Sequence, residues 1–237
     1  MKETTTGNNI PLTKPEEVEL IRQRLLAPFP MNFIDTRPGA FGAGGAKPLF
    51  YIDARAVSRR LNTVIGLGNY SITTPYIGST MDTKEEKKKN KETGQYETKT
   101  LEGLLVSCVC NINVHHPSLE LVASNVGEKG LDEQGFNKTT SAWAQAFKRA
   151  AAMGLGIGEY LYFMDFPFTK YNDGKFNFDQ AELSKCIEQA LQDVGFKFKC
   201  EETGQMVPWN VAAQAVQKFG RVLSVDAVRA MAPVQNS

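Results

Sequence analysis

Residues 101–126, LEGLLVSCVCNINVHHPSLELVASNV, read as two strands, 101–114 and 118–126, turning at His115-His116-Pro117-Ser118. Upstream, 69–80 (NYSITTPYIGST) predicts a third strand. Pro75 marks that strand as an edge or a bulge, because proline cannot donate to a ladder. Three strands joined in series by hairpins make an antiparallel meander. Residues 138–153 (KTTSAWAQAFKRAAAM) then predict a long helix, broken by GLGIG at 154–158. The expected fold is α+β, an antiparallel β-meander packed on a long helix, a β-β-β-α core.

Outward from this core, residues 1–14 read as a flexible tail. Pro15, followed by Glu16, Glu17 and Glu19, opens a helix carrying Val18, Leu20, Ile21 and Leu25, which should stop near Pro28. A loop with Pro30, Pro38 and glycines at 39, 42, 44 and 45 leads to a short strand at 47–52. Asp53 is placed to cap the next helix. Residues 82–99 hold six Lys, five acids and no aliphatic side chain, so they read as a mobile hairpin tip, with a DNA-touching arm as the alternative. The expected core domain is 15–168. A smaller, mainly helical unit at 169–237 should hold a helix at 179–193, a strand-like FKFKC at 196–200, a turn at EETGQ, and helices near 209–218 and 224–231.

The chain has 237 residues, 27 Lys+Arg against 26 Asp+Glu, a net charge of +1, and 42% hydrophobic residues. That length is ample for a real core, and the apolar fraction excludes disorder throughout. No apolar run approaches the ~20 residues of a membrane span. The polar N-terminus does not read as a signal peptide. Near-neutrality excludes a protein that coats nucleic acid by bulk charge, so any DNA-binding charge must be local. The basic excess does sit early: residues 1–90 hold 13 basic and 9 acidic side chains, whereas 151–237 hold 8 and 10. The four cysteines, Cys108, Cys110, Cys186 and Cys200, form no C-x-x-C. They read as small buried side chains in a reducing cytoplasm, without metal or disulfide.

Three glycine-rich stretches invite a nucleotide reading and fit it poorly. In GAFGAGGAK (39–47), Lys47 follows Ala46, and Pro48 stands where a P-loop needs Ser or Thr. Gly154–Gly158 follows a helix, whereas a dinucleotide fingerprint opens one. Gly66-Leu67-Gly68 reads as a helix stop. Catalytic constellations are missing too: the two histidines are adjacent, no G-x-S-x-G occurs, and Asp132, Glu133, Asp165 and Asp173 do not stand out from surface acids.

The basic residues carry more information. On a wheel at about 100° per residue, helix 53–65 gathers Val57, Leu61, Val64 and Ile65 on one face. Arg55, Arg59 and Asn62 fall opposite, with Arg60 on the flank and no acid at i±4 of Arg55 or Arg59. Helix 138–153 stacks Trp143, Phe147, Ala150 and Gly154, with Lys148 and Arg149 to either side. Its many alanines permit close approach to a sheet or a neighbouring subunit. Placed Lys and Arg suit phosphate contact.

The segment KPLFYIDARAVSRRLNTVIGLGNYS (47–71) resembles the Rad-fifty-two family, in which a Tyr-Ile-acid strand end leads into a helix, then Gly, then an aromatic. SAWAQAFKRAAAMGLGIGEYLY (141–162) resembles the Lys-Arg-Ala helix and GIGxYLY ending of that family's phage and bacterial members. The likeness spans roughly 18–165, in matching order.

The resemblance implies ATP-independent single-stranded DNA binding and strand annealing in homologous recombination and repair, with no cofactor or metal. It implies a homo-oligomeric ring or helical assembly in a bacterial host cytoplasm, with no membrane association. The partners implied are single-stranded DNA, the annealed duplex intermediate, a phage exonuclease and a host single-strand-binding protein. Lys148 and Arg149 are the implied phosphate contacts. Arg55 is next, although the family's arginine falls where this chain has Ala56, so Arg55 or Arg59 would take its role. Arg60, Lys47 and Lys138 complete the cationic set, and Tyr51, Tyr70 and Tyr160 are candidates for base stacking. The alternatives are a nucleotide- or metal-dependent nucleic-acid enzyme built on the glycine loops, and an oligomeric scaffold without DNA binding.

Overall fold

The computed structural model describes residues 14–89, 94–130 and 138–231. The expected tail, apart from Lys14, lies outside the described residues, as do positions 90–93 of the expected hairpin tip and the acids Asp132 and Glu133.

Helix α1 (Lys14–Leu26) is followed by strands β1 (Ile34–Gly42) and β2 (Gly45–Ile52), helix α2 (Ala54–Val64), strands β3 (Tyr70–Lys89), β4 (Tyr96–His116) and β5 (Leu119–Lys129), and helix α3 (Lys138–Leu155). The C-terminal stretch adds β6 (Tyr171–Asn172), β7 (Lys175–Phe176), α4 (Gln180–Asp193), β8 (Phe198–Lys199), β9 (Met206–Val207), α5 (Trp209–Phe219) and α6 (Val225–Met231). The α+β class and the meander on a helix are therefore present. β3, β4 and β5 pair antiparallel in that order, and α3 packs on them.

β3 is an edge strand, and its register against β4 shifts between Thr73 and Tyr76, on either side of Pro75. The proline removes one ladder donor, and the bulge absorbs the loss. β4 turns into β5 through Pro117-Ser118, with His116 opposite Leu119. Cys108, Cys110, Ile112 and Val114 alternate onto the buried face of β4. The helix lies against the sheet at backbone distance: a Cβ on Gly127 of β5 would stand 2.1 Å from the Ala142 carbonyl oxygen of α3. Ala142, Ala146 and Ala150 of α3 are fully buried.

Three expectations need correction. The stretch after Pro28, read as a loop up to residue 46, contains β1, which pairs with β2 from Ile34↔Ile52 to Gly42↔Gly45. Pro38 and the glycines sit inside the hairpin and disguise it. The hydrophilic stretch 82–99 continues β3 and β4 on both sides of its undescribed apex, with Asp82↔Gly103 and Lys87↔Thr98 in register. Exposed strands need no apolar alternation, because ladder hydrogen bonds hold them. α3 also runs through Gly154 to Leu155, and the chain turns away at Gly156, whose φ is +72°.

The C-terminal stretch shares one hydrophobic cluster with the sheet and α3: Leu183, Ile187, Val207 and Val216 join Ile112, Phe147 and Leu155. A polar clasp ties it to α1. The Glu201 carboxylate, 3% exposed, accepts from Arg24 at 2.9 and 2.6 Å, from Arg221 at 3.2 Å and from the Val222 N–H at 2.7 Å. Gln23 reinforces it by donating to the Lys199 carbonyl and accepting from the Lys199 N–H. Burial opposes the Glu201 charge, but the bonds from Arg24, Val222 and Arg221 outweigh it and hold the carboxyl below its ordinary value of 4.5. A depressed folded pKa stabilises above the unfolded value, and that contribution is lost as pH falls through the folded value. Glu201→Gln should lower stability at pH 7 by roughly 2–4 kcal/mol and flatten the loss of stability below about pH 4.5. Urea unfolding across pH 3–7 measures both; equal acid sensitivity in the two proteins would remove Glu201 as its source.

Candidate nucleic-acid interface

The β1–β2 register builds one wall of a cleft. Asp35 pairs with Tyr51 and Arg37 with Leu49, so these four side chains share the hairpin face turned away from the core. Helix α3 forms the opposite wall with Lys148 and Arg149, and Lys129 enters from the end of β5. The cleft holds ≈ 550 Å³. Buried Ile157 and Leu161 line it, and Tyr162, 56% exposed, stands beside them. Four cations, Arg37, Lys129, Lys148 and Arg149, thus line one apolar-floored cleft, and no described carboxylate lines it.

The geometry fixes the central cation. The Lys148 ammonium lies 5.2 Å from the Tyr51 ring centroid, a cation–π placement. Burial lowers its pKa below the ordinary lysine value; Arg37 and Lys129 push the same way, while Asp53 and Asp35 oppose them. Lys129 is lowered in turn by burial and by Arg37. The like charges of Arg37, Lys129 and Lys148 therefore concentrate positive potential in the cleft. Arg149 donates to the Val126 carbonyl at 3.1 Å, which pins its guanidinium to the rim of the sheet.

Beyond the acids lies a smaller recess of ≈ 290 Å³ lined by Asp35, Asp53, Arg55 and Arg59. Asp53 caps α2 by accepting from the Arg55 N–H at 2.7 Å. Its carboxylate also accepts from the Arg55 guanidinium at 3.0 and 3.3 Å, and it is held below the ordinary carboxylate range chiefly by that bond. Arg55 is therefore ion-paired, contrary to the expectation of an uncompensated face. The compensating acid is two residues back, at the cap, where an i±4 search does not look.

Two predicted contacts are corrected outright. Arg60 is 1% exposed, and its guanidinium donates to the carbonyls of Arg24, Leu25, Ala27 and Pro28, at and beyond the C-terminal end of α1. It also covers the Phe29 ring at 4.2 Å. Burial pushes its pKa down to about 10, and it stays a cation at neutral pH. Arg60 is a structural cap for α1, buried away from the surface where a DNA strand would lie. Tyr160 is 2% exposed, and its hydroxyl accepts from the Phe29 N–H at 3.1 Å, so it cannot stack a base.

The remaining predicted residues disperse. Lys47 pairs with Asp165. Lys138 donates to the Leu104 carbonyl, about 15 Å along the helix from Lys148 at ~1.5 Å per residue. Tyr70 bonds Asn62 at 2.5 Å and packs on the core. Arg59 is exposed on the smaller recess. Sequence reasoning missed Arg37, Lys129 and Tyr162. Arg37 was hidden by the unrecognised β1, and Lys129 by ending β5 at 126; Tyr162 is the exposed neighbour of the buried Tyr160. The glycine stretch 39–47 forms the strand–turn–strand of β1 and β2, so it lacks the strand–loop–helix geometry of a P-loop.

Among the described residues, no group of three or more His, Cys, Asp or Glu is placed to hold a metal. All four cysteines are free; Cys108, Cys110 and Cys200 are buried and Cys186 is half-buried. No helix among the described residues is long and apolar enough to cross a membrane. Comparison with models of known protein families and with curated proteins finds no match for this chain. Fold and site together define an α+β protein whose three-stranded antiparallel sheet, backed by one long helix, borders a cationic cleft.

Proposed function

We propose that this protein binds single-stranded DNA through the phosphate backbone and anneals complementary strands without consuming a nucleotide. The observation that supports the reading most is the convergence of Arg37, Lys129, Lys148 and Arg149 on one cleft that no carboxylate among the described residues lines. Lys and Arg neutralise phosphates without reading sequence, which leaves base edges available to a second strand. Tyr51 and Tyr162 offer ring faces for sequence-tolerant stacking. The resemblance of residues 47–71 and 141–162 to the Rad-fifty-two family points the same way. On this reading the protein works as an oligomer in homologous recombination in a bacterial host cytoplasm, with an exonuclease and a single-strand-binding protein as partners. Lining up subunits would turn four cations into a continuous track, which reconciles DNA binding with a net charge of +1.

Four phosphate-neutralising cations predict a salt dependence of log K against log[salt] near −3 per subunit, from about −0.7 per phosphate on single strands. Titration of a labelled oligonucleotide at increasing NaCl, with chelator and without nucleotide, measures it. Loss of binding with chelator would favour the metal-dependent enzyme, and no binding at low salt would favour a scaffold without a DNA role.

A further inference from the structure

Asp35 and Asp53 line the recess that holds Arg55 and Arg59, and DNA binding as described leaves them unexplained. Asp35 lies opposite Tyr51 in the β1–β2 ladder, beside the ring that holds the Lys148 ammonium. Asp53 directly follows that strand end, and its carboxylate is occupied by Arg55. Both acids are close enough to favour the charged form of Lys148. Arg55 itself is 93% exposed and Asp53 46% exposed, so nothing buries this pair or requires it for packing.

Building on the proposed function, we infer that Asp35 and Asp53 are affinity-limiting residues, resident anions that compete with DNA phosphate for Lys148 and Arg55. A strand that follows the cations must displace the Asp53 carboxylate from Arg55 and pass two like charges. Arg55 is thereby held in place in the free protein, and the strand is held less tightly than it would be without the two acids. Loose holding suits annealing, in which a bound strand must shift register until it finds its complement. The two acids also divide the surface, so that the cleft takes phosphate first and Arg55 joins only when Asp53 releases it.

The test uses isosteric neutralisation. Asn is as good a helix cap as Asp, so Asp53→Asn preserves the start of α2, and Asp35→Asn lies on a strand with no capping role. Affinity for labelled oligothymidylate is measured by anisotropy at pH 7 over a range of NaCl. Glu120→Gln, exposed on β5, controls for net charge. Each single variant should tighten binding by about threefold and the double variant by about tenfold, as expected for removing a like charge within a few ångströms of phosphate. Asp53→Asn should also steepen the salt dependence by about 0.7, because Arg55 becomes a full counterion site. The control should stay within about twofold of the parent protein.

Variants that bind like the parent protein, or more weakly, overturn the inference and leave the proposed function standing. A rise in Glu120→Gln equal to that in Asp53→Asn also overturns it, since net charge alone would then explain the change. A parent protein that fails to bind single-stranded DNA overturns both.

Discussion

Replacing Lys148 and Arg149 together by alanine should, on the proposed function, lower affinity for single-stranded DNA by about 100-fold at moderate salt. Charge-assisted hydrogen bonds contribute about 1.5–3 kcal/mol each, and two of them to phosphate, discounted for a partly wet cleft, give ~3 kcal/mol. The salt dependence falls in parallel, from near −3 to near −1.5, since two of four counterion-releasing cations are gone. Folding survives. Lys148 is half-buried in the cleft wall, and Arg149 makes one rim bond to the Val126 carbonyl. The measurement is anisotropy titration beside thermal unfolding. Unchanged affinity, with an unchanged slope, removes these residues from the interface. A fall in affinity that tracks a fall in melting temperature assigns them to structure instead.

Arg60→Met should have the opposite profile: folding suffers, and the proposed DNA contact is not touched directly. Methionine fills much of the volume and keeps an unbranched stem, but it cannot donate. The carbonyls of Arg24, Leu25, Ala27 and Pro28 then lose a shared donor inside the core. Each buried unsatisfied carbonyl costs about 1–3 kcal/mol; with partial relaxation the sum is roughly 3–5 kcal/mol. The Nε of Arg60 has no partner already, so some of this is offset by removing an unpaired buried donor. Urea unfolding reads the effect. A stable Arg60→Met protein that binds DNA weakly would return Arg60 to the surface role its sequence position suggested.

These two arginine and lysine cases show what the sequence could and could not convey. Period and composition revealed α2 and α3, because their apolar faces repeat locally at helical spacing: Val57, Leu61 and Val64 are buried as the wheel requires. The same wheel misjudged Arg60. The acceptors that bury it belong to the end of α1, more than thirty positions earlier in the chain, and no local pattern encodes them. The candidate site divides in the same way. Lys148 and Arg149 were legible as an unusual cation pair on an alanine-rich helix. Arg37 and Lys129 reach the same cleft only through the β1–β2 register and the last residue of β5. β1 itself was obscured because Pro38 and four glycines are turn formers in isolation, whereas pairing with β2 overrides them. Residues 82–89 and 96–99 look like solvated coil by composition. They are strand because each pairs with the other, a non-local fact.

A single time course decides whether the protein anneals strands. Two complementary oligonucleotides, one labelled for fluorescence quenching on pairing, are mixed at low concentration with the protein, with chelator present and nucleotide omitted. Pairing should be accelerated over the protein-free rate, and Lys148→Ala with Arg149→Ala should abolish most of the acceleration. Pairing no faster than without protein would contradict the proposed function.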